Sequence, residues 1–119
     1  TACLETTYIF AVPLRAPLYK NVYALDHQSI FVSWYALSQE DTGGILRGYR
    51  VHYSEYRTYL YKNVTVGPEQ LHVLLTDLKP GTEYEIYVRA FTSVGEGPKN
   101  RDWIKTRMLL VSLFLIDYF

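Results

Sequence analysis

Hydrophobic and polar side chains alternate most regularly near the middle of the second half of the chain. The positions predicted to point inward are Tyr84, Ile86, Val88 and Ala90. A period of two predicts a β-strand with one buried face. Pro80-Gly81 precedes it and favours a turn, because proline fixes φ and glycine tolerates positive φ. The pattern predicts a turn followed by a half-buried strand, with the Tyr84 hydroxyl bonded to the backbone of that turn.

The same alternation recurs in other segments that are separated by turn-forming residues. These predicted strands cover residues 19–24, 29–37, 46–55, 56–63, 70–77 and 100–107. Their predicted inward side chains include Ile30, Val32, Trp34, Tyr49, Val51, Tyr53, Leu71, Val73 and Leu75. Short strands with turn signals every ~8–12 residues predict two antiparallel sheets packed face to face.

Two groups of residues carry a resemblance to a known family. The first group is Leu78, Pro80, Thr82, Tyr84, Ile86, Val88 and Ala90, followed by the loop at residues 93–98. The second group is Trp34, Tyr49 and Val51. Both resemble the fibronectin type III domain, whose B-strand tryptophan and C-strand core residues take the second set of positions. The resemblance covers residues 13–107.

This resemblance implies an all-β fold, a seven-stranded antiparallel immunoglobulin-like sandwich. Strands A, B and E would form one sheet, and strands C′, C, F and G the other. The implied structural core is Trp34, Tyr49, Val51, Leu78, Tyr84, Ile86 and Val88.

The amino-terminal flank, residues 1–12, has two interpretations. Its positions Thr6, Tyr8, Phe10 and Val12 repeat the spacing of the residues that begin strand F. A remnant of a preceding repeat would show this spacing, but so would any alternating run. Pro13 and Pro17 then predict a linker and the start of an edge strand, where a missing N–H is tolerated.

The carboxy-terminal tail, residues 108–119, is almost continuously apolar. It is too short to cross a bilayer, which needs ~20 apolar residues. Three interpretations stay open: read-through in the gene sequence, the truncated start of a membrane helix, or a docked structural segment. A membrane partner is expected only under the second.

Charge and cysteine content exclude some classes of protein. Lysine and arginine number 12, as do aspartate and glutamate, so the formal net charge is zero. A neutral chain argues against nucleic-acid binding, which needs a dense basic surface. The single cysteine, Cys3, cannot form an internal disulfide. This disfavours an antibody-type domain, which joins strands B and F by a disulfide.

No arrangement of reactive side chains favours an enzyme. Asp26, His27 and Ser29 are triad residue types, but close neighbours in one turn cannot easily form a relay. His52 and His72 are predicted on the outer faces of different sheets, so they cannot share a metal ion with ligands at ~2 Å. The loop at residues 95–97 lacks the Lys and helix of a phosphate-binding loop. We predict no catalytic residues, no metal, no cofactor and no small-molecule substrate.

Asn63-Val64-Thr65 matches the acceptor sequence for N-glycosylation, because its middle residue is not proline. Its predicted location is an exposed loop at the end of strand C′. In a secreted chain, Asn63 is the predicted glycan acceptor. Such triplets also arise by chance.

One outer sheet face is the candidate surface for protein binding. Its residues, on predicted strands C and F, are Arg50, His52, Tyr87, Arg89 and Phe91. Tyrosine and arginine are enriched at the hot spots of protein interfaces. The alternative is that these side chains stabilise the sheet by stacking and cation–π contact.

The resemblance implies a non-enzymatic interaction or spacer module, bound to protein partners or to neighbouring repeats. The first interpretation places it in an extracellular or cell-surface adhesion or receptor protein. A second makes it an accessory domain of a receptor enzyme, such as a tyrosine phosphatase or kinase. A third is a cytosolic repeat of the muscle-filament type.

Overall fold

The computed structural model describes residues 10–109, which form seven β-strands in two antiparallel sheets. The strands are β1 (Tyr19–Asp26), β2 (Ser29–Trp34), β3 (Gly48–Glu55), β4 (Lys62–Val66), β5 (His72–Leu75), β6 (Glu83–Phe91) and β7 (Asn100–Lys105). One sheet has the order β1-β2-β5 and the other β4-β3-β6-β7. A short 3₁₀ helix, Gln39–Asp41, lies between β2 and β3. The predicted sandwich and its division into two sheets are confirmed.

The core lies between the sheets and is built by the inward positions of the alternating strands. Its buried hydrophobic residues are Ile30, Val32, Trp34, Tyr49, Val51, Val66, Val73, Leu75, Leu78, Tyr84, Ile86, Val88 and Ala90. Trp34 on β2 packs against Tyr49 on β3, with ring centroids 5.5 Å apart. The Leu37 N–H donates to the Tyr49 hydroxyl at 3.1 Å, so this buried phenol has a polar partner. All seven residues of the core implied by the sequence are buried here.

The turn before β6 is held by the tyrosine that follows it. Tyr84 is buried, and the backbone N–H of Lys79 donates to its hydroxyl at 2.9 Å. Thr106 completes the turn: its hydroxyl donates to the Lys79 carbonyl at 2.6 Å and accepts from the Thr82 N–H at 2.9 Å. The carboxy-terminal end of β7 is therefore tied to the turn that leads into β6.

Replacing Tyr84 with phenylalanine should lower the free energy of unfolding by about 1–3 kcal/mol. The ring volume is kept, but the partly buried Lys79 N–H loses its acceptor. Urea denaturation followed by circular dichroism measures the change. Tyr23→Phe is the matched control, because the Tyr23 side chain is 45% exposed. Equal losses in the two variants would contradict a structural role for the Tyr84 hydroxyl.

The predicted strand C′ was wrong in its position. Residues 56–58 form a turn, and β4 begins only at Lys62. Arg57 and Tyr59 have φ values of 66° and 59°, a left-handed conformation that a strand does not contain. Beyond the turn, β4 pairs with β3 so that Val66 enters the core and lies opposite Tyr49.

Other strand ends differ by a few residues from the predicted bounds. β2 ends at Trp34 rather than at residue 37, and β3 begins at Gly48 rather than at residue 46. β5 is confined to His72–Leu75, and Asp77, with a φ of 59°, has a left-handed conformation that a strand does not contain. β1 runs on to Asp26, and β7 ends at Lys105.

The segment before β1 packs on the domain, which differs from the linker predicted around Pro13. Pro13 and Pro17 are both fully buried. The Ala11 N–H donates to the Gly43 carbonyl at 2.8 Å, and the Thr92 hydroxyl donates to the Ala11 carbonyl at 2.6 Å. The loops that follow β2 and β6 thus hold residues 11–13 from two sides.

A glycine in the loop after β6 makes this close packing feasible. A Cβ atom at Gly97 would lie 2.7 Å from the Pro13 Cβ and 2.8 Å from its carbonyl oxygen.

The remaining interpretations of the two ends, the repeat remnant at Thr6 and Tyr8 and the tail at residues 110–119, lie outside the described residues.

Candidate protein-binding face

The structure brings the five predicted binding residues together on the outer face of the four-stranded sheet. In the pairing of β3 with β6, Arg50 lies opposite Arg89, and His52 lies opposite Tyr87. Phe91 pairs with Gly48 at the end of the same ladder. We call the set Arg50, His52, Tyr87, Arg89 and Phe91 the outer patch. Whether it binds a protein stays a prediction at this point.

A carboxylate from the loop after β6 joins the two arginines of the outer patch. Like charges directly opposite each other in a sheet are destabilising. Glu96 accepts a hydrogen bond from the Arg50 Nη1 at 2.6 Å and another from the Arg89 Nη1 at 2.9 Å. One anion therefore offsets the repulsion between two facing cations and fixes both guanidinium groups.

Aromatic rings fill the space between these charges. His52 and Tyr87 stack with centroids 4.7 Å apart and an angle of 21° between the rings. The Arg50 guanidinium lies 4.3 Å from the Phe91 centroid. Lys99, from the loop before β7, places its ammonium 4.7 Å from the Tyr87 centroid. Cations and aromatic faces attract each other in this geometry, so the outer patch is a connected, ordered surface.

The charge state of Glu96 follows from its surroundings. Burial alone would raise the pKa of Glu96, but the hydrogen bonds from Arg50 and Arg89 outweigh it and hold the pKa below the ordinary value. Glu96 is therefore ionised at neutral pH, and it contributes stability that is lost as pH falls through its lowered pKa.

Burial lowers the pKa of His52 below its ordinary value, because desolvation disfavours the protonated ring. Glu96 opposes this shift, with its carboxylate 3.6 Å from the His52 Nε2, while Arg89 and Arg50 reinforce it. The unfolded chain then binds a proton on His52 at higher pH than the folded chain does. Protonation in this range favours the unfolded state.

We expect stability to fall as pH drops through the ordinary histidine pKa of about 6.5, and His52→Gln to remove part of this fall. An NMR titration of the His52 ring should show a midpoint below that value. Glu96→Gln should lower the midpoint further, because it removes the group that raises the pKa. A His52 midpoint at or above the ordinary value would contradict the prediction.

Sequence reasoning missed two members of this surface, Glu96 and Lys99. It treated Glu96 only as part of the loop at residues 95–97, whose start is fixed by an antiparallel bridge between Phe91 and Glu96. A partial signal was present, because Glu96 is the one carboxylate in the loop at residues 93–98, which follows the predicted strand that carries Arg89.

The other candidate residues are placed apart from the outer patch. Asp26 accepts from the Gln28 N–H at 2.8 Å within the turn between β1 and β2. His72 stacks on Phe31 at 6.0 Å on the outer face of the other sheet. Within residues 10–109, no group of three His, Cys, Asp or Glu side chains is arranged to hold a metal ion.

In the same range, no helix has the length and apolar character needed to cross a membrane.

Asn63 is exposed, as predicted, but it lies in β4 and not in a loop. It pairs with His52 across the β3–β4 ladder. Because paired residues point to the same side of a sheet, Asn63 lies on the outer face beside the outer patch. Its glycosylation stays a prediction.

The geometry can be compared with known proteins. The sequence matches the profile of the family described as "Fibronectin type III domain" over residues 16–107. The chain belongs to the fibronectin type III domain family. This confirms the resemblance drawn from the turn and strand around Tyr84 and from Trp34.

The curated relatives of this type III domain are much longer proteins. "MAM and fibronectin type III domain-containing protein 1" of Acropora millepora is 38% identical over 99 residues, which is 80% of this chain and 23% of the relative. "Cell adhesion molecule DSCAM" of Homo sapiens is 35% identical over 99 residues, which is 80% of this chain and 5% of the relative. The chain therefore spans less than a quarter of the length of these relatives.

A solved structure shows the same type III fold. The crystal structure of the chicken CNTN1 FN1–FN3 domains aligns with a TM-score of 0.72 and 31% identity, over 80% of this chain and 33% of that chain. With an adhesion molecule among the relatives, these similarities support an adhesion-type interaction module.

Proposed function

We propose that this type III domain is a non-enzymatic protein-interaction and spacer module in the extracellular part of a cell-adhesion or receptor protein. We further propose that the outer patch is the surface that contacts its protein partner. The adhesion-type relatives support the first part. The fixed positions of the side chains in the outer patch support the second part.

One observation carries the proposal. The Glu96 carboxylate holds both Arg50 and Arg89 by hydrogen bonds, beside the stacked rings of His52 and Tyr87. Long side chains that are already ordered lose less conformational entropy on binding. Tyrosine and arginine also dominate interface hot spots, where they combine apolar area with hydrogen-bonding groups. The outer patch offers both properties on a rigid sheet.

The charge of this surface indicates the chemistry of the partner. Arg50, Arg89 and Lys99 surround the rings of Tyr87 and Phe91. Within the part of the chain that the structure describes, Glu96 is the carboxylate paired with Arg50 and Arg89. Three cations against one anion, with the neighbouring Glu85 paired with Arg101, leave an excess of positive charge, which favours a protein surface carrying Asp or Glu.

The test is a binding screen of the purified domain, presented as a multimer, against the ectodomains of cell-surface proteins. Tyr87→Ser combined with Arg89→Glu should weaken a specific interaction by at least about tenfold, because truncated hot spots cost about 2 kcal/mol or more. The matched control is Tyr23→Ser on the outer face of the other sheet, where the centroids of the Tyr23 and Phe31 rings lie 5.3 Å apart.

Circular dichroism must show that both variants stay folded. Unchanged binding by the Tyr87 and Arg89 variant, or an equal loss with Tyr23→Ser, would contradict the assignment of the outer patch. The absence of any cell-surface protein partner would contradict the interaction function as a whole.

A further inference from the structure

The glycosylation triplet has an aromatic residue two positions before its asparagine. Tyr61, Asn63 and Thr65 alternate with Lys62 and Val64. In an extended strand, residues two apart point to the same face and lie about 6.6 Å apart. An aromatic ring, an acceptor amide and the threonine that defines the triplet should therefore share one surface.

The contacts of these residues place all three on the outer face. The Tyr61 ring lies 5.3 Å from the Tyr87 ring. Asn63 pairs with His52, and Thr65 accepts a hydrogen bond from the Arg50 Nε at 3.0 Å. Each contact is to a member of the outer patch, so β4 and the residue that precedes it present Tyr61, Asn63 and Thr65 along the edge of this patch.

Tyr61 is held in place before any sugar arrives. Its hydroxyl donates to the Glu85 Oε1 at 2.8 Å, and Glu85 also pairs with the Arg101 Nε at 2.9 Å. The ring is inclined by 57° to the Tyr87 ring. The apolar side of a hexosamine, with its C–H bonds, packs well on an aromatic face, whose π-system is negative. Because the ring beside the acceptor is already fixed, little conformational entropy is lost when a sugar packs on it.

Asn63 itself is accessible. β4 is an edge strand, since the order of its sheet is β4-β3-β6-β7. The Asn63 side chain is exposed, and it makes no hydrogen bond to another residue in the range 10–109. An open strand edge invites pairing with other chains unless it is covered, so a substituent here would also protect the edge.

We propose that Asn63 carries an N-linked glycan whose first N-acetylglucosamine packs on the Tyr61 ring, so that the glycan covers the β4 edge beside the outer patch. In the transfer step, the Asn63 amide nitrogen bonds to C1 of the sugar. The bond from C1 to the oxygen of a lipid-linked diphosphate breaks, and the diphosphate leaves with the electron pair. The amide loses one proton to a base of the transferase.

The Thr65 hydroxyl, which the transferase must read, is engaged by Arg50 once β4 has paired with β3. Before these strands pair, the Thr65 hydroxyl is free of this contact. This inference rests on the proposed extracellular location, but it does not depend on the outer patch binding a partner.

The experiment expresses the whole chain behind a secretory leader in eukaryotic cells and compares it with Asn63→Gln. Intact mass before and after removal of N-glycans reports whether Asn63 is occupied. We expect occupancy, and a higher melting temperature for the glycosylated chain than for Asn63→Gln. Trimming to a single N-acetylglucosamine should keep this difference, because the first sugar makes the contact.

Tyr61→Ser, made with and without Asn63→Gln, tests the packing. The loss of the Tyr87 and Glu85 contacts affects both backgrounds and cancels in the comparison. We expect Tyr61→Ser to abolish the gain in melting temperature from the glycan. Tyr59→Ser, at a position 74% exposed in the preceding turn, should keep it. An unoccupied Asn63, or a gain that survives Tyr61→Ser, would overturn the proposal.

Discussion

Replacing Trp34 with alanine is expected to lower the free energy of unfolding by about 3–5 kcal/mol. The Trp34 side chain is 1% exposed, and it packs between the two sheets against Tyr49, with ring centroids 5.5 Å apart. Domains of this size have a total stability of about 5–15 kcal/mol. The variant should therefore be partly unfolded or close to it at physiological temperature.

The indole of Trp34 stabilises the fold by its volume and not by its polar atom. Its Nε1 makes no hydrogen bond to another residue in the range 10–109. Trp34→Phe keeps most of the apolar contact without a buried N–H, so it should lose much less stability than Trp34→Ala. Urea denaturation measured by far-ultraviolet circular dichroism compares the variants without relying on tryptophan fluorescence.

The matched control is the second tryptophan of the chain. Trp103 on β7 is 47% exposed, so removing its side chain returns less area to water and leaves no internal cavity. Trp103→Ala should therefore lower the free energy of unfolding by much less than Trp34→Ala. Similar losses in the two variants would contradict a dominant contribution of Trp34 to the stability of the core.

The fold could be predicted from the sequence wherever a strand has one buried face. β6 is the clearest case, since its inward side chains alternate over the whole of Glu83–Phe91. β4 was misplaced because the tyrosine-rich stretch before it has no buried face to enforce a period. The left-handed conformations of Arg57 and Tyr59 belong to a turn whose geometry depends on how β3 ends and β4 begins.

The outer patch could be predicted only in part, for a related reason. Alternation places Arg50 and Arg89 on the outer side of their strands, but only the register of β3 and β6 sets them opposite each other. The position of Glu96 depends on how the following loop folds back. Likewise, the burial of Pro13 depends on Gly97, which is distant in sequence. Contacts between loops leave little periodic trace in a sequence.

Replacing Gly48 with alanine is expected to lower the free energy of unfolding by about 3 kcal/mol, the upper end for overpacking. A Cβ at Gly48 would overlap the backbone carbonyl oxygen of Val66 and lie 3.2 Å from the Phe91 Cε1. A backbone oxygen within a sheet cannot rotate away as the end of a flexible side chain can. The β4 edge would have to move away from β3.

This displacement should reach the outer patch as well as the core. Phe91 supports the Arg50 guanidinium at 4.3 Å, and Val66 closes the core beside Tyr49. Gly67→Ala is the matched control, because a Cβ there would meet no atom within 4 Å. Gly67→Ala should be neutral or stabilising by up to about 1 kcal/mol, through a less flexible unfolded chain. If thermal and urea denaturation show that the Gly48→Ala and Gly67→Ala variants are equally stable, the fold does not require the close approach of β3 and β4 at Gly48.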